Sequence, residues 1–212
     1  MATNRLHPIL WLLLAAAALT GLTGCAPATA EPAPTPPSPT QAPSGATELP
    51  ASSTEPTGAG SISLELTSQA FAEGEMVPTD FTCDGVDQSP PLRWSGVPEG
   101  TQSLALVMDD PDAPAGTWVH WVLFDLPADS SGLPDAVSNQ AQAAGGVHGT
   151  NSWGELGYGG PCPPSGTHRY VFRLYAADQP LGFAAGATKA QVLAALEGHT
   201  LAEAELIGTY SR

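Results

Sequence analysis

The sequence predicts a mainly-β domain of about 150 residues behind a long non-globular N-terminal stretch. Three observations predict it. Apolar runs of strand length recur at Ser103–Met108, Trp118–Asp125 and His168–Tyr175. Turn-forming residues separate them, with 23 Gly and 22 Pro in 212 residues. Only one later segment, Lys189–Glu197, carries both a helix start and a helix stop.

The chain divides into residues 1–24, 25–60 and 61–212. Residues 1–24 read as a lipoprotein signal peptide. Arg5 and the amino terminus give a positive start, and Ile9 to Leu19 is an apolar run of about eleven residues, short for a membrane span. Leu22-Thr-Gly-Cys25 follows directly and resembles the lipobox of bacterial lipoproteins. That resemblance implies cleavage before Cys25 and a lipid on its thiol, hence an exported chain anchored to the extracytoplasmic face of a bacterial membrane. Residues 26–60 hold nine prolines and no aromatic residue. Such a stretch buries too little apolar area to offset its ordering entropy and reads as a disordered tether.

In the domain, Ser61 to Leu66 alternates polar and apolar and predicts a strand. Residues 67–91 are irregular, and Leu92-Arg-Trp94 predicts a short strand. Ser103–Met108 is apolar on both faces, as a central strand is. Strict alternation over Trp118–Asp125 puts Trp118, His120, Val122 and Phe124 on one face, with Val119, Trp121 and Leu123 on the other. Residues 127–167 form a long excursion without periodicity, the kind of loop that carries function. In the next strand His168, Tyr170, Phe172 and Leu174 share a face. Thr188 caps the helix with Gln191 three residues on, and Gly198 ends it. A short helical turn is expected near Leu201–Ala204, then a closing strand over Glu205–Tyr210.

Six basic residues against 21 acidic ones, a formal charge of −15, exclude nucleic acid and an anionic lipid surface as electrostatic partners. There is no His-Glu-x-x-His run and no Gly-x-Ser-x-Gly elbow.

Five motifs stand in order: Ser89-Pro-Pro-Leu-Arg-Trp94, Asp110-Pro-Asp-Ala-Pro114, Trp118-Val-His120, Gly160-Pro-Cys-Pro-Pro164 and Gly166-Thr-His-Arg-Tyr170. Together they resemble the phosphatidylethanolamine-binding protein family, in its bacterial Raf-kinase-inhibitor-like branch, over roughly residues 62–212. The resemblance implies a β-sandwich with a large central antiparallel sheet, a few short peripheral helices and a small anion pocket at one end. It places ligand contacts at Asp110, Pro114, Trp118, His120, Cys162, Pro163, Pro164, His168 and Tyr170. Cys162 stands where many members have glycine. The sequence ends at Arg212, without the C-terminal helix that flanks the pocket in mammalian members, which implies an open pocket.

The chemistry of these residues suits the assignment. Two imidazoles and a phenol donate hydrogen bonds, and Trp118 and the prolines give rigid walls. Asp110 repels an anion, so its better role is to accept from a histidine N–H. Asp112 reads as a turn residue, His148 as loop and His199 as structural. With no Lys or Arg in the set, affinity for a bare anion should be weak, about millimolar. Cys83 and Cys162 are the thiols left in the exported domain, an even pair of the kind that forms disulfides.

The expected function is a non-catalytic, membrane-anchored module for a phosphate- or carboxylate-bearing ligand, with no cofactor. The resemblance also implies a protein partner such as a kinase or protease, and an exported domain does not meet a cytoplasmic kinase. Two alternatives stand beside it: a metal-dependent or acid–base hydrolase using Asp110, His120 and His168, and a purely structural envelope protein.

Overall fold

A computed structural model describes residues 63–212. The signal peptide, Cys25, the tether and the start of the first predicted strand lie outside them. Nine strands and one helix follow in chain order: β1 (Glu65–Ser68), β2 (Leu92–Ser95), β3 (Ser103–Asp110), β4 (Trp118–Pro127), β5 (Gly132–Leu133), β6 (Gln142–Ala143), β7 (Gly146–His148), β8 (Thr167–Ala177), α1 (Lys189–Leu196) and β9 (Thr200–Ser211). A 3-10 turn at Thr79–Phe81 interrupts the irregular stretch after β1. The domain is mainly β, as expected.

Two antiparallel sheets form. The small one runs β1-β2-β5 and the large one β6-β7-β4-β3-β8-β9. All eight residues of β3 are buried, because it pairs on both edges and is covered on both faces. Its even-numbered residues Leu104, Leu106 and Met108 face the small sheet and pack with Leu66, Leu92, Trp94, Phe172 and Leu174. The opposite face carries smaller side chains, Ala105, Val122 and Ala177, under Val192 and Leu196 of α1. The helix sits where predicted. The Thr188 hydroxyl accepts from the Gln191 N–H, and the Gln191 side chain returns to the Thr188 N–H. Asp109, one per cent exposed on this face, accepts from Lys189 Nζ at 2.6 and 2.8 Å and from Arg173 at 3.2 Å. That buried carboxylate ties the helix to the sheet and was not legible from its position beside Asp110.

Three expectations need correction. Leu201–Ala204 is strand, not a helical turn. β9 pairs with β8 from Thr200 to Ser211, and this long ladder overrides local helix preference. The excursion after β4 holds three short strands, β5 to β7, too brief to show a period. His148 is fully buried at the end of β7. Its Nδ1–H donates to the Gln140 carbonyl at 2.7 Å, and its Nε2 accepts from Trp121 Nε1–H at 3.0 Å.

Candidate functional site

The strand order β4-β3-β8 sets the C-terminal end of β3 between the N-terminal ends of β4 and β8. Asp110, Trp118, His120, His168 and Tyr170 therefore meet at one end of the large sheet.

A β-bulge aims His120. Met108 pairs with Trp121 and Asp109 with Val119, so His120 is an extra residue on β4. Val119 packs with Val122 and Phe124 on the helix face, and the His120 ring instead meets Tyr170 edge-on at 5.1 Å. The strict alternation expected for this strand fails at this point, since one inserted residue reverses the parity that follows it. His120 is 2 % exposed, and its Nδ1–H donates to the Gly159 carbonyl at 2.7 Å.

Asp110 is 3 % exposed and both its oxygens are engaged. Oδ2 accepts from His168 Nδ1–H at 2.7 Å and Oδ1 from the Asp112 N–H at 2.8 Å. The role expected for it, holding a histidine ring, is the one it occupies. Asp112 does more than form a turn. Its carboxylate takes the Arg169 backbone N–H at 3.0 Å and the guanidinium at 2.9 and 2.7 Å, clamping the loop to β8. The Arg169 hydrogen bonds pull its carboxyl down to about 2.

A cavity of about 290 Å³ opens here, lined by Asp110, Ala113, Pro114, Ala115, Trp118, His120, Trp153, Cys162 and Pro164. Six of the nine expected ligand residues are in that wall. Pro163, His168 and Tyr170 are buried behind it. The Tyr170 hydroxyl is buried near the Cys162 backbone but makes no hydrogen bond among the described residues. Burial, then the Asp110 charge, pushes its ionisation up, so it remains a donor. A larger cavity of about 440 Å³ lies on the helix face, but its one cation, Lys189, is already paired with Asp109.

The loop before β8 is fixed from several sides. Cys83 and Cys162 are joined in a disulfide, their Cα atoms 5.5 Å apart. The Gly160 N–H donates to Asp87 at 2.7 Å, and a Cβ on Gly160 would lie 2.6 Å from the Phe81 carbonyl oxygen, so only glycine fits that approach. Tyr158 donates to the Phe81 carbonyl at 2.6 Å. With Cys162 bonded, it is not a free nucleophile beside His168. Among the described residues no three His, Cys, Asp or Glu side chains gather as a metal-binding group.

Sequence reasoning missed Trp153. It lies in the long excursion, edge-on to Trp118 at 5.4 Å and to His120 at 5.0 Å. A lone Trp among Gly, Ser and Asn was the available signal, because an aromatic residue in such a loop has no strand face to fill.

The model of the family described as phosphatidylethanolamine-binding protein matches residues 67–211. The chain belongs to the phosphatidylethanolamine-binding protein family. A UPF0098 protein of Methanothermobacter thermautotrophicus is 53% identical over 150 residues, spanning 70% of this chain and 99% of the relative. One from Aquifex aeolicus is 44% identical over 157 residues, 73% of this chain and 92% of the relative. Among solved structures, the PEBP homologue CT736 of Chlamydia trachomatis is 44% identical with a TM-score of 0.67, covering 72% of this chain and 99% of that one. YbcL of Escherichia coli, described as a member of the mammalian PEBP family, is 34% identical with a TM-score of 0.66, covering 70% and 98%. The two solved structures share the fold of the described domain.

Burial lowers the pKa of His120 below the ordinary 6.5, against the opposing hydrogen bond to Gly159 and the charge of Asp110. Burial does the same to His148, against its bond to Gln140. Both rings are held neutral in the folded chain, while the unfolded chain takes up protons below about 6.5. The stabilisation is therefore complete above pH 6.5 and is lost as pH falls from there through the lowered folded values. Asp112 titrates well below that window. Thermal unfolding should show a lower midpoint at pH 5.5 than at pH 7.5; an equal or higher midpoint at pH 5.5 would contradict this account.

Proposed function

We propose that this chain is a membrane-anchored, extracytoplasmic binding module whose pocket takes a small phosphate- or carboxylate-bearing ligand. One observation carries the reading. Each imidazole has its Nδ1–H fixed, His120 on the Gly159 carbonyl and His168 on Asp110, and neither Nε2 has a partner among the described residues. A ring so oriented becomes a charged donor from Nε2 when protonated, and an anion is what stabilises that proton.

The surroundings fit a receptor better than a catalyst. Asp110 has both oxygens engaged, so its capacity to take a proton from substrate is reduced. His120 is backed by a carbonyl rather than a carboxylate, which fixes its tautomer without raising its basicity much. Pro114, Pro164 and Trp118 form walls that keep water from competing. The anchor rests on the lipobox-like Leu22-Thr-Gly-Cys25. On its tether the pocket would reach ligands, or an exported partner such as a protease, near the membrane surface.

The test is a titration with inorganic phosphate and with phosphoethanolamine at pH 6, following the histidine ring resonances. Shifts at His120 and His168, with none at His148 or His199, are expected. Silence at His120 would remove the anion reading, and broadening with zinc alone would favour a metal site. For the anchor, Cys25→Ser should move the protein from the membrane to the soluble fraction; continued membrane retention would overturn it.

A further inference from the structure

The long excursion between β7 and β8 is built around one indole. Asn151, buried at its base, accepts the Trp153 N–H at 3.1 Å and the Glu155 N–H at 3.0 Å, and donates to the Gly157 carbonyl at 3.3 Å. The Ser152 hydroxyl accepts the Val119 N–H at 2.8 Å, and its own N–H returns to the Val119 carbonyl at 2.9 Å, which fixes the loop to β4. The backbone of Trp153 is thus held, while the residue is 46% exposed and its ring stands edge-on to Trp118 and His120.

That ring stands between two cavities. On one side is the 290 Å³ pocket with His120; on the other is a cavity of about 260 Å³ that Asp87, Asn139 and Glu155 help to line. Trp153 and Cys162 are the residues common to both walls. Cys162 is fixed by its disulfide, which leaves the indole as the partition that a substitution can remove. Gly159 is fitted to it, since a Cβ there would lie 2.7 Å from Cζ3 of the ring. The backbone of Gly159 also holds His120, so the position of the ring and the orientation of the donor are set by one residue.

We propose that Trp153 is the specificity-determining wall of the anion pocket, keeping the substituent of a bound anion in solvent and out of the acidic cavity behind it. This rests on the anion reading above. Without the ring, a substituent could pass from the first cavity into the second, where two carboxylates favour a cationic end and disfavour a second anion.

Calorimetry at pH 6 with inorganic phosphate and 6-aminohexyl phosphate tests this in the wild type, Trp153→Ala and Gly159→Ala. The wild type should bind the two ligands about equally, the amine tail staying in solvent. Trp153→Ala should bind aminohexyl phosphate about fivefold more tightly than phosphate, as expected for exposed charge pairs with Asp87 and Glu155. Gly159→Ala, which displaces the ring and leaves it in the chain, should shift the ratio the same way. A ratio unchanged within twofold in both variants, with phosphate still bound, would overturn the wall and leave the anion reading intact. Loss of phosphate binding in both variants alone would mean the ring props His120 and is not a partition. No phosphate binding by the wild type would remove both readings.

Discussion

Reduction of the Cys83–Cys162 bond is expected to lower the thermal midpoint of the domain by roughly 10 °C. The bond closes a loop of 79 residues. Constraining so long a loop in the unfolded chain contributes about 2–4 kcal/mol, and each kcal/mol moves the midpoint of a domain this size by about 2–4 °C. The fold should survive, because other contacts hold the same loops. Tyr210 and Arg212 both bind Asp84 at 3.0 Å, Tyr158 binds the Phe81 carbonyl, and Gly160 binds Asp87. The pocket should suffer more than the core, since Cys162 is part of its wall and Cys83 accounts for one backbone bond to Pro161. Thermal scans with and without reductant, and of the Cys83→Ser/Cys162→Ser variant, measure the effect. A midpoint within a degree or two of the oxidised protein would show that the bond is incidental.

Replacing His120 with Asn should abolish most anion binding. The Asn amide can reproduce the Nδ1–H bond to the Gly159 carbonyl, but it has nothing at the position of Nε2. A hydrogen bond to a charged group contributes about 1.5–3 kcal/mol, so the loss is at least tenfold at pH 6. His120→Gln, whose amide reaches nearer to Nε2, should recover part of the affinity. Equal affinity in wild type and His120→Asn would show that the anion is held elsewhere.

The sequence makes the sheet legible and the site partly so. β3 reads as central because it is apolar without alternation, and β8 because His168, Tyr170, Phe172 and Leu174 keep one parity, as they do in the fold. The cap and stop of α1 are local chemistry and appear where the residues place them. What fails is whatever depends on partners distant in sequence. The bulge at His120 comes from mismatch with β3, and a strand read alone shows no mismatch. The extension of β9 through Leu201–Ala204 comes from β8. His148 becomes a core residue because Trp121 and Gln140 satisfy both its nitrogens. The sequence assigns Asp110 to a histidine N–H without saying which, and the fold selects His168, 58 residues away, whereas Trp153 lies outside the five motifs and only its contacts with Trp118 and His120 place it at the site.

The affinity of the wild type for sulfate as a function of pH tests the central claim most directly, because sulfate keeps its charge across the range. His120 is neutral in the empty pocket, so binding must be coupled to uptake of about one proton. Affinity should rise by about tenfold for each pH unit lowered between pH 8 and 6.5, with proton uptake visible as a buffer-dependent heat. An affinity that is flat over this interval would contradict the account, since it would mean that neutral groups hold the anion and that the imidazoles only line the wall.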